Sequence, residues 1–309
     1  MFNKSVKNKN EGNQIKKVKV SVPGSCGELF QGKIGNDRLL ISCPIAKYSN
    51  VIAELKNNFR GVRANKDLAK SLLAVEILLD KLTERKIGIE LEFSSELLVG
   101  KGMGSSTADL AAALAAVMIL INNRIDWKLL KDILLKIEPT DSSIWPGLTL
   151  FDYRAGKILH PLGHPPSFDI LVFTEAGQID TIEFNNKLDS ANTKKDDQEK
   201  KFKKAIELIK MGIRNKSPEK LAVASIISAK DHQKIHYRPH LDYLLELIKE
   251  WPGVYGLNIA HSGTIFGLFV EKRKTFDGLI KRVNNKLNNV NYLYRTKIIS
   301  GGIKIEKKE

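Results

Sequence analysis

The chain is short of cysteine, of aromatic residues and of acidic charge. Cys26 and Cys43 are the two cysteines in 309 residues. Two thiols cannot build a disulfide framework for a chain this long, and a reducing cytoplasm is the expected home. Aromatic residues are 7% of the sequence and are mostly not interleaved with the basic ones, which argues against a base-stacking surface for nucleic acid. Long apolar runs are also missing. The longest, Leu110 to Ile121, falls well short of the roughly 20 residues a bilayer span requires. It reads as a buried helix, and no membrane partner is expected. The N-terminal MFNKSVKNKNEGNQIKK has no apolar core, so a secretory signal is not expected there. Acidic residues number 35 against 50 basic, a formal net charge of +15. That excess fits nucleic-acid binding, or a lysine-rich surface that steers anionic ligands such as nucleotides. The lysines are dispersed, densest in the N-terminal tail and in KKDDQEKKFKK (194–204). The second reading is preferred and no nucleic-acid partner is expected.

What is present suffices for a sizeable core. Apolar residues are 42% of the chain, which excludes wholesale disorder, and the length allows one large domain or two ordinary ones. VKVSV (18–22), LLISCPI (39–45) and NVIAEL (50–55) read as strands. IGIELEF (87–93) alternates Ile87, Ile89, Leu91 and Phe93 with small or acidic residues, the pattern of a half-buried strand. Helical spacing predicts helices over 66–82 and 126–137, the second capped by Asp126. AGKILHPLGHPP (155–166) predicts a crossing between two halves. FDILVFT (168–174), VYGLNIA (254–260) and IFGLFVE (265–271) read as strands, with a last strand near 296–300. Helices are expected over 202–212, 218–229, 240–250 and 275–287, and Ser217-Pro218 sets proline at a first helical position. Residues 185–201 are too polar to bury and predict a long loop or helix lead-in. Strands and helices mix without regular βαβ alternation, so the expected class is α+β in two domains. These are a basic tail over 1–16, an N-terminal domain over 17–160 and a C-terminal domain over 161–309.

GKGMGSSTADLAAALAAV (100–117) sets three glycines, two serines and a threonine directly before the most apolar helix. Glycine permits positive φ and close approach to the backbone. A helix N-terminus offers unpaired N–H groups and the positive end of its dipole. Together they make an anion site, and phosphate is the usual anion. Ser105, Ser106 and Thr107 add hydroxyls, and Lys101 adds a positive charge. A plainer reading stays open at this point: Ser106 with Asp109 fits a capping box, and the glycines can simply make a turn. The stretch matches neither the Walker pattern nor the dinucleotide fingerprint.

Two further stretches narrow the reading. PGSCGELFQG (23–32) gathers Pro23, Gly24, Gly27 and Gly32 around one acidic residue, Glu28. AHSGTIFG (260–267) lies between two late strands. In this order the three stretches resemble the GHMP kinases, the superfamily of galactokinase, homoserine kinase, mevalonate kinase and phosphomevalonate kinase. The resemblance spans roughly residues 18 to 300. PGSCGELFQG, GKGMGSSTAD, EPTDSS and AHSGT together look like the L-threonine kinase branch, which serves cobalamin biosynthesis. It implies an N-terminal domain like domain 2 of ribosomal protein S5 and a ferredoxin-like C-terminal domain. It also implies ATP and Mg2+ as cofactors in a site between the domains, and a small amino acid as acceptor.

By that resemblance Gly100, Lys101, Gly102, Met103, Gly104, Ser105, Ser106 and Thr107 form the nucleotide cradle. Asp141 resembles the aspartate near the acceptor hydroxyl, as base or orienting group, although PTDSS also has turn composition. Lys101 is the second catalytic candidate. Ser106 and Glu138 are the candidate magnesium ligands, oxygen donors as a hard cation prefers; Glu138 is equally an ordinary helix-end charge. Ser25, Cys26, Gly27 and Glu28 would shape the acceptor pocket, with Glu28 facing an ammonium group or else supporting the loop by a salt bridge. Ser262, Gly263 and Thr264 would hold substrate or phosphate. Mevalonate kinases carry a lysine in the first motif; Ser25 and Cys26 stand there instead, so a lysine–aspartate couple from those motifs is not carried over. L-Serine and homoserine are the alternative acceptors. A nucleic-acid-binding protein on an S5-like scaffold is the alternative of another class. DHQKIHYRPH (231–240) spaces His232, His236 and His240 for one helical face, but Pro239 argues against a continuous helix and a metal site. Gln233, His236 or Arg238 could reach an acceptor carboxylate.

Overall fold

The computed structural model describes residues 15–82, 87–176 and 195–308. Within them the chain is α+β, as expected. It opens with two long strands, β1 (Lys17–Ile34) and β2 (Asp37–Lys56), followed by β3 (Gly61–Ala64), α1 (Ala69–Leu82), β4 (Gly88–Ser95), α2 (Ser105–Asn122) and α3 (Trp127–Ile137). A short 3-10 turn (Ser142–Ile144) leads to the strands β5 (Leu148–Asp152), β6 (Leu159–Gly163) and β7 (Asp169–Glu175). The remainder is α4 (Lys195–Arg214), α5 (Pro218–His232), α6 (Leu241–Glu250), β8 (Val254–Ile259), β9 (Ile265–Val270), α7 (Asp277–Lys286), β10 (Val290–Lys297) and β11 (Lys304–Lys308). The strands form one sheet in the order β10-β7-β9-β8-β1-β2-β4-β3, with β11 also on β1 and the β5–β6 hairpin on β2. β1 and β8 meet through a single register pair, Glu28 with Ile259. The early strand β1 and the late strand β8 therefore join at a residue of the first motif.

Local chemistry accounts for most elements. In β4, Ile89, Leu91 and Phe93 are buried while Glu90 and Glu92 face out. Asp126 caps α3 by accepting from the Leu129 N–H at 3.0 Å. Ser217 accepts from the Lys220 N–H, with Pro218 opening α5. α2 is long and apolar enough to cross a membrane by composition, yet most of it is buried inside the molecule. Its alanines let α1, β1 and β2 approach from several sides, so it needs no polar face.

Several expectations change. LLISCPI and NVIAEL are one strand, β2, not two. The pairing with β1 jumps from Ser25–Pro44 to Pro23–Tyr48, a bulge that accommodates Pro44 inside a strand. PGSCGELFQG is strand, not loop, and its register breaks three times between Pro23 and Phe30. The crossing at 155–166 contains β6, an edge strand paired with β5 alone, which is why Pro161 is tolerated there. Residues 195–201 are already helical in α4, and the rest of the loop expectation, from 185, lies outside the described residues. β3, β5 and β11 were not anticipated, and the last expected strand, near 296–300, begins earlier as β10 and ends at Lys297.

Candidate active site

The N-terminus of α2 is the centre of the arrangement. Its N-cap is Gly104, in the left-handed region at φ 64°, and no side chain caps it. Asp109, the candidate capping partner, instead accepts from the Ser49 hydroxyl. The capping-box reading is therefore set aside. The first-turn N–H groups, which a helix cannot pair internally, belong to Ser105, Ser106 and Thr107, and all three line a cavity of about 460 Å³. Gly100, Gly102, Met103 and Gly104 line it too, as do Glu28, Gln31, Lys70, Glu138, Asp141 and Ser262. A larger groove of about 660 Å³ lies between α5, α6 and β8. It holds none of the motif residues, which line the smaller cavity instead.

Asp141 sits against this helix end. Its backbone N–H approaches Thr107 Oγ1 at 3.4 Å, and its Oδ1 accepts from Ser42 Oγ at 3.2 Å. Ser42 is locked in turn: its N–H donates to Ser142 Oγ and its Oγ accepts from the Ser142 N–H, at 2.8 and 3.0 Å. Oδ2 faces Gly104, where a β-carbon would come within 2.6 Å of it. Glycine is thus required twice at this position, for its φ and for the space. Burial, then the charges of Glu28 and Glu138, raise the Asp141 carboxyl against the Ser42 hydrogen bond, and it is pushed up to about 7. Beside it, Ser25 Oγ is buried and has no hydrogen-bond partner among the described residues. An orphaned buried hydroxyl next to a perturbed carboxylate is a feature of functional sites, although Ser25 itself, expected in the acceptor pocket, does not line the cavity.

Glu28 approaches from the seam. Its Oε2 accepts from both the backbone N–H and Nδ1 of His261, each at 2.8 Å. His261 Nε2 lies 3.3 Å from Ser228 Oγ. The salt-bridge reading of Glu28 is met by a histidine from the third motif, and the residue still lines the cavity.

Not every expected residue reaches the cavity. Cys26 is fully buried, its thiol raised by burial and then by the Glu28 charge, so it packs and does not face a ligand. Gly27 lies against the backbone of Ile259 and Ala260. Lys101 is not among the lining residues; its carbonyl accepts from the Thr264 and Ile265 N–H groups, each at 3.0 Å. Gly263 packs its backbone on Gly102, and Thr264 Oγ1 meets Thr174 Oγ1 at 3.2 Å. Of the third motif only Ser262 lines the cavity. Gln233, His236 and Arg238 do not line it. Arg238 is buried on Glu175 and on loop carbonyls, which excludes it as a ligand for an acceptor carboxylate. The three histidines do not share a helix: α5 ends at His232, and His240 pairs with Glu175.

Sequence reasoning missed Ser42, Lys70 and His261. Ser42 was signalled by a serine inside the apolar run LLISCPI, and His261 by its place in AHSGT; Lys70 carried no signal. Lys70 pairs with Glu138 at 2.5 Å. For magnesium, Ser106 and Glu138 offer two oxygen donors on one cavity, and no cluster of three or more His, Cys, Asp or Glu suited to a metal exists among the described residues. That set fits magnesium, which keeps waters and phosphate oxygens and takes few protein groups, provided Glu138 exchanges Lys70 for the ion.

Comparison with known proteins bears on the family and the fold. A family model for the N-terminal domain of GHMP kinases matches residues 67–144. An L-threonine kinase of Salmonella typhimurium is 30% identical over 306 residues, covering 92% of this chain and 94% of its own length. An L-threonine kinase of Citrobacter freundii is 26% identical over 92% of this chain and 98% of its own. Among solved structures, a homoserine kinase from Cytophaga hutchinsonii superposes with a TM-score of 0.70 at 16% identity, over 99% of this chain and 100% of its own. The L. major mevalonate kinase superposes with a TM-score of 0.68 at 15% identity, over 97% and 100%. At these identities the two structures speak for the fold alone.

Proposed function

The chain belongs to the GHMP kinase superfamily of ATP-dependent small-molecule phosphotransferases, and from that premise we propose that it phosphorylates the side-chain hydroxyl of L-threonine. The product, O-phospho-L-threonine, would serve cobalamin biosynthesis. The observation that carries the proposal is the placement of Asp141 Oδ2 against the uncapped N-terminus of α2, in one cavity with Glu28. The relatives named L-threonine kinase support the choice of acceptor.

The residues divide the work as follows. The first-turn N–H groups of α2 and the hydroxyls of Ser105, Ser106 and Thr107 hold the ATP phosphates. Asp141 takes the proton of the acceptor hydroxyl on Oδ2. The freed oxygen bonds the γ-phosphorus, the bridge to the β-phosphate breaks, ADP leaves, and Asp141 returns the proton to solvent. Its raised pKa makes it an adequate base near neutral pH. Magnesium, held by Ser106 and Glu138, would neutralise phosphate charge. Glu28, with Oε2 committed to His261, offers Oε1 to the acceptor ammonium. Lys101 does not line the cavity, and its charge would act on the phosphates through the field alone.

The test is ADP release with magnesium and separate additions of L-threonine, L-serine, homoserine and no acceptor. ADP formed chiefly with threonine supports the reading, and Asp141→Asn should lower kcat by about 10²-fold or more. Ser106→Ala should raise the magnesium requirement. Preference for serine or homoserine would keep the mechanism and overturn the acceptor. No acceptor-dependent ADP from folded protein would overturn the amino-acid kinase reading, and nucleic-acid binding would be measured next.

A further inference from the structure

We propose that Arg238, which does not touch the cavity, is a positioning residue that aligns both sides of it through the loop 260–263. The inference rests on the kinase reading for its kinetic consequences, though not for its structural ones. Arg238 is among the largest side chains that are fully buried, and a buried guanidinium is unfavourable unless its donors are matched. Here Nη1 and Nη2 are spent on one loop and one carboxylate, and Nε alone has no hydrogen-bond partner among the described residues. Nη2 donates to the carbonyls of Ala260 and Gly263 at 2.6 and 2.5 Å, and Nη1 donates to Glu175 Oε1 at 2.5 Å. The two carbonyls flank His261 and Ser262, so one planar group ties the loop at both ends. A lysine ammonium lacks that fork.

The anchor is itself fixed. Gln233 Oε1 accepts from the Arg238 N–H and its Nε2 donates to the Arg238 carbonyl, at 2.7 and 2.9 Å. Glu175 also receives His240 Nε2 at 2.9 Å, and its own N–H donates to the Thr264 carbonyl at 2.9 Å. Burial raises the Glu175 carboxyl, but His240 and Arg238 outweigh it and hold it below its ordinary value, so it remains a charged partner. Two contacts lead outward from the tied loop. His261 fixes the acceptor-side carboxylate of Glu28. Gly263 packs on Gly102 while Thr264 and Ile265 donate to Lys101, which fixes the phosphate-side glycines. A shift of the loop would displace both sides together, and displacements of about 1 Å cost up to about 100-fold in rate.

The test uses the full chain with Arg238→Lys and the milder Gln233→Ala. Steady-state kinetics for ATP and for the acceptor are read beside hydrogen–deuterium exchange of peptides covering 100–104 and 260–264. Arg238→Lys is expected to lower kcat by about 10- to 100-fold, to raise KM for both substrates, and to speed exchange in both peptides. Gln233→Ala should do the same more weakly, and decides alone if Arg238→Lys does not fold. A lower Tm with unchanged kcat and KM, and no exchange change confined to 100–104 and 260–264, would overturn the proposal. If the wild type shows no acceptor-dependent turnover, the kinase reading fails, and exchange at 100–104 still judges the brace.

Discussion

Asp141 carries an electrostatic burden that the proposed reaction would use. Burial and the charges of Glu28 and Glu138 push its carboxyl up to about 7, against one hydrogen bond from Ser42. A base must be ionised to accept a proton, so kcat/KM should rise with pH through about 7 and level off above it; a profile flat from pH 5 to 9 would remove Asp141 from that role. The same shift has a stability consequence of opposite sign. Between the ordinary value of 3.8 and about 7, the folded protein keeps a proton that the unfolded chain has released. Stability therefore falls as pH rises through that window, and the full cost applies above it. Asp141→Asn removes the cost. The variant should be more stable than wild type at pH 8 by at least about 1 kcal/mol, with the gap closing toward pH 4. Chemical denaturation at the two pH values checks this, and a variant less stable at pH 8 would contradict it.

At the scale of elements, the start of α2 separates a binding role from a structural one. Asp126→Ala, which removes the cap of α3, should lower stability by about 1 kcal/mol and leave kcat unchanged. Gly104→Ala should do more than destabilise. It adds a methyl in the left-handed region and within 2.6 Å of Asp141 Oδ2, so kcat should fall by about 10²-fold even where the protein remains folded; a folded, fully active Gly104→Ala enzyme would show that Asp141 has room to spare. The contrast also explains what the sequence made legible. Caps, the glycine loop, the apolar α2 and the alternation in β4 are local, and each could be read within a few residues. Glu28 with His261, Ser42 with Asp141 and Arg238 with Gly263 are pairings across 233, 99 and 25 residues of chain. Only the fold creates them. PGSCGELFQG misled for a related reason: its glycines suggested a loop, but they serve a strand bulged against β2 that also meets β8, from late in the chain, at Glu28.

The whole molecule supplies what the cavity lacks. Glu28, Glu138 and Asp141 line it against the single lysine Lys70 among the described residues, and Lys70 is already paired with Glu138. The side chains there are a poor lure for a polyanion. The N-terminus of α2 offsets this only at short range, because its field falls off within the first turn. Attraction from a distance must come from the net charge of +15 spread over the surface, and charges that act through solvent are screened by salt. Raising ionic strength from about 0.01 M to 0.1 M shortens the screening length from about 30 to 10 Å. Over that range kcat/KM for ATP should fall severalfold, while kcat/KM for a zwitterionic amino acid, which carries no net charge, should hardly move. Titrating both with potassium chloride at fixed magnesium tests the argument. Equal losses for the two substrates would mean that salt acts on the fold, and no loss for either would mean that the basic surface takes no part in capturing the nucleotide.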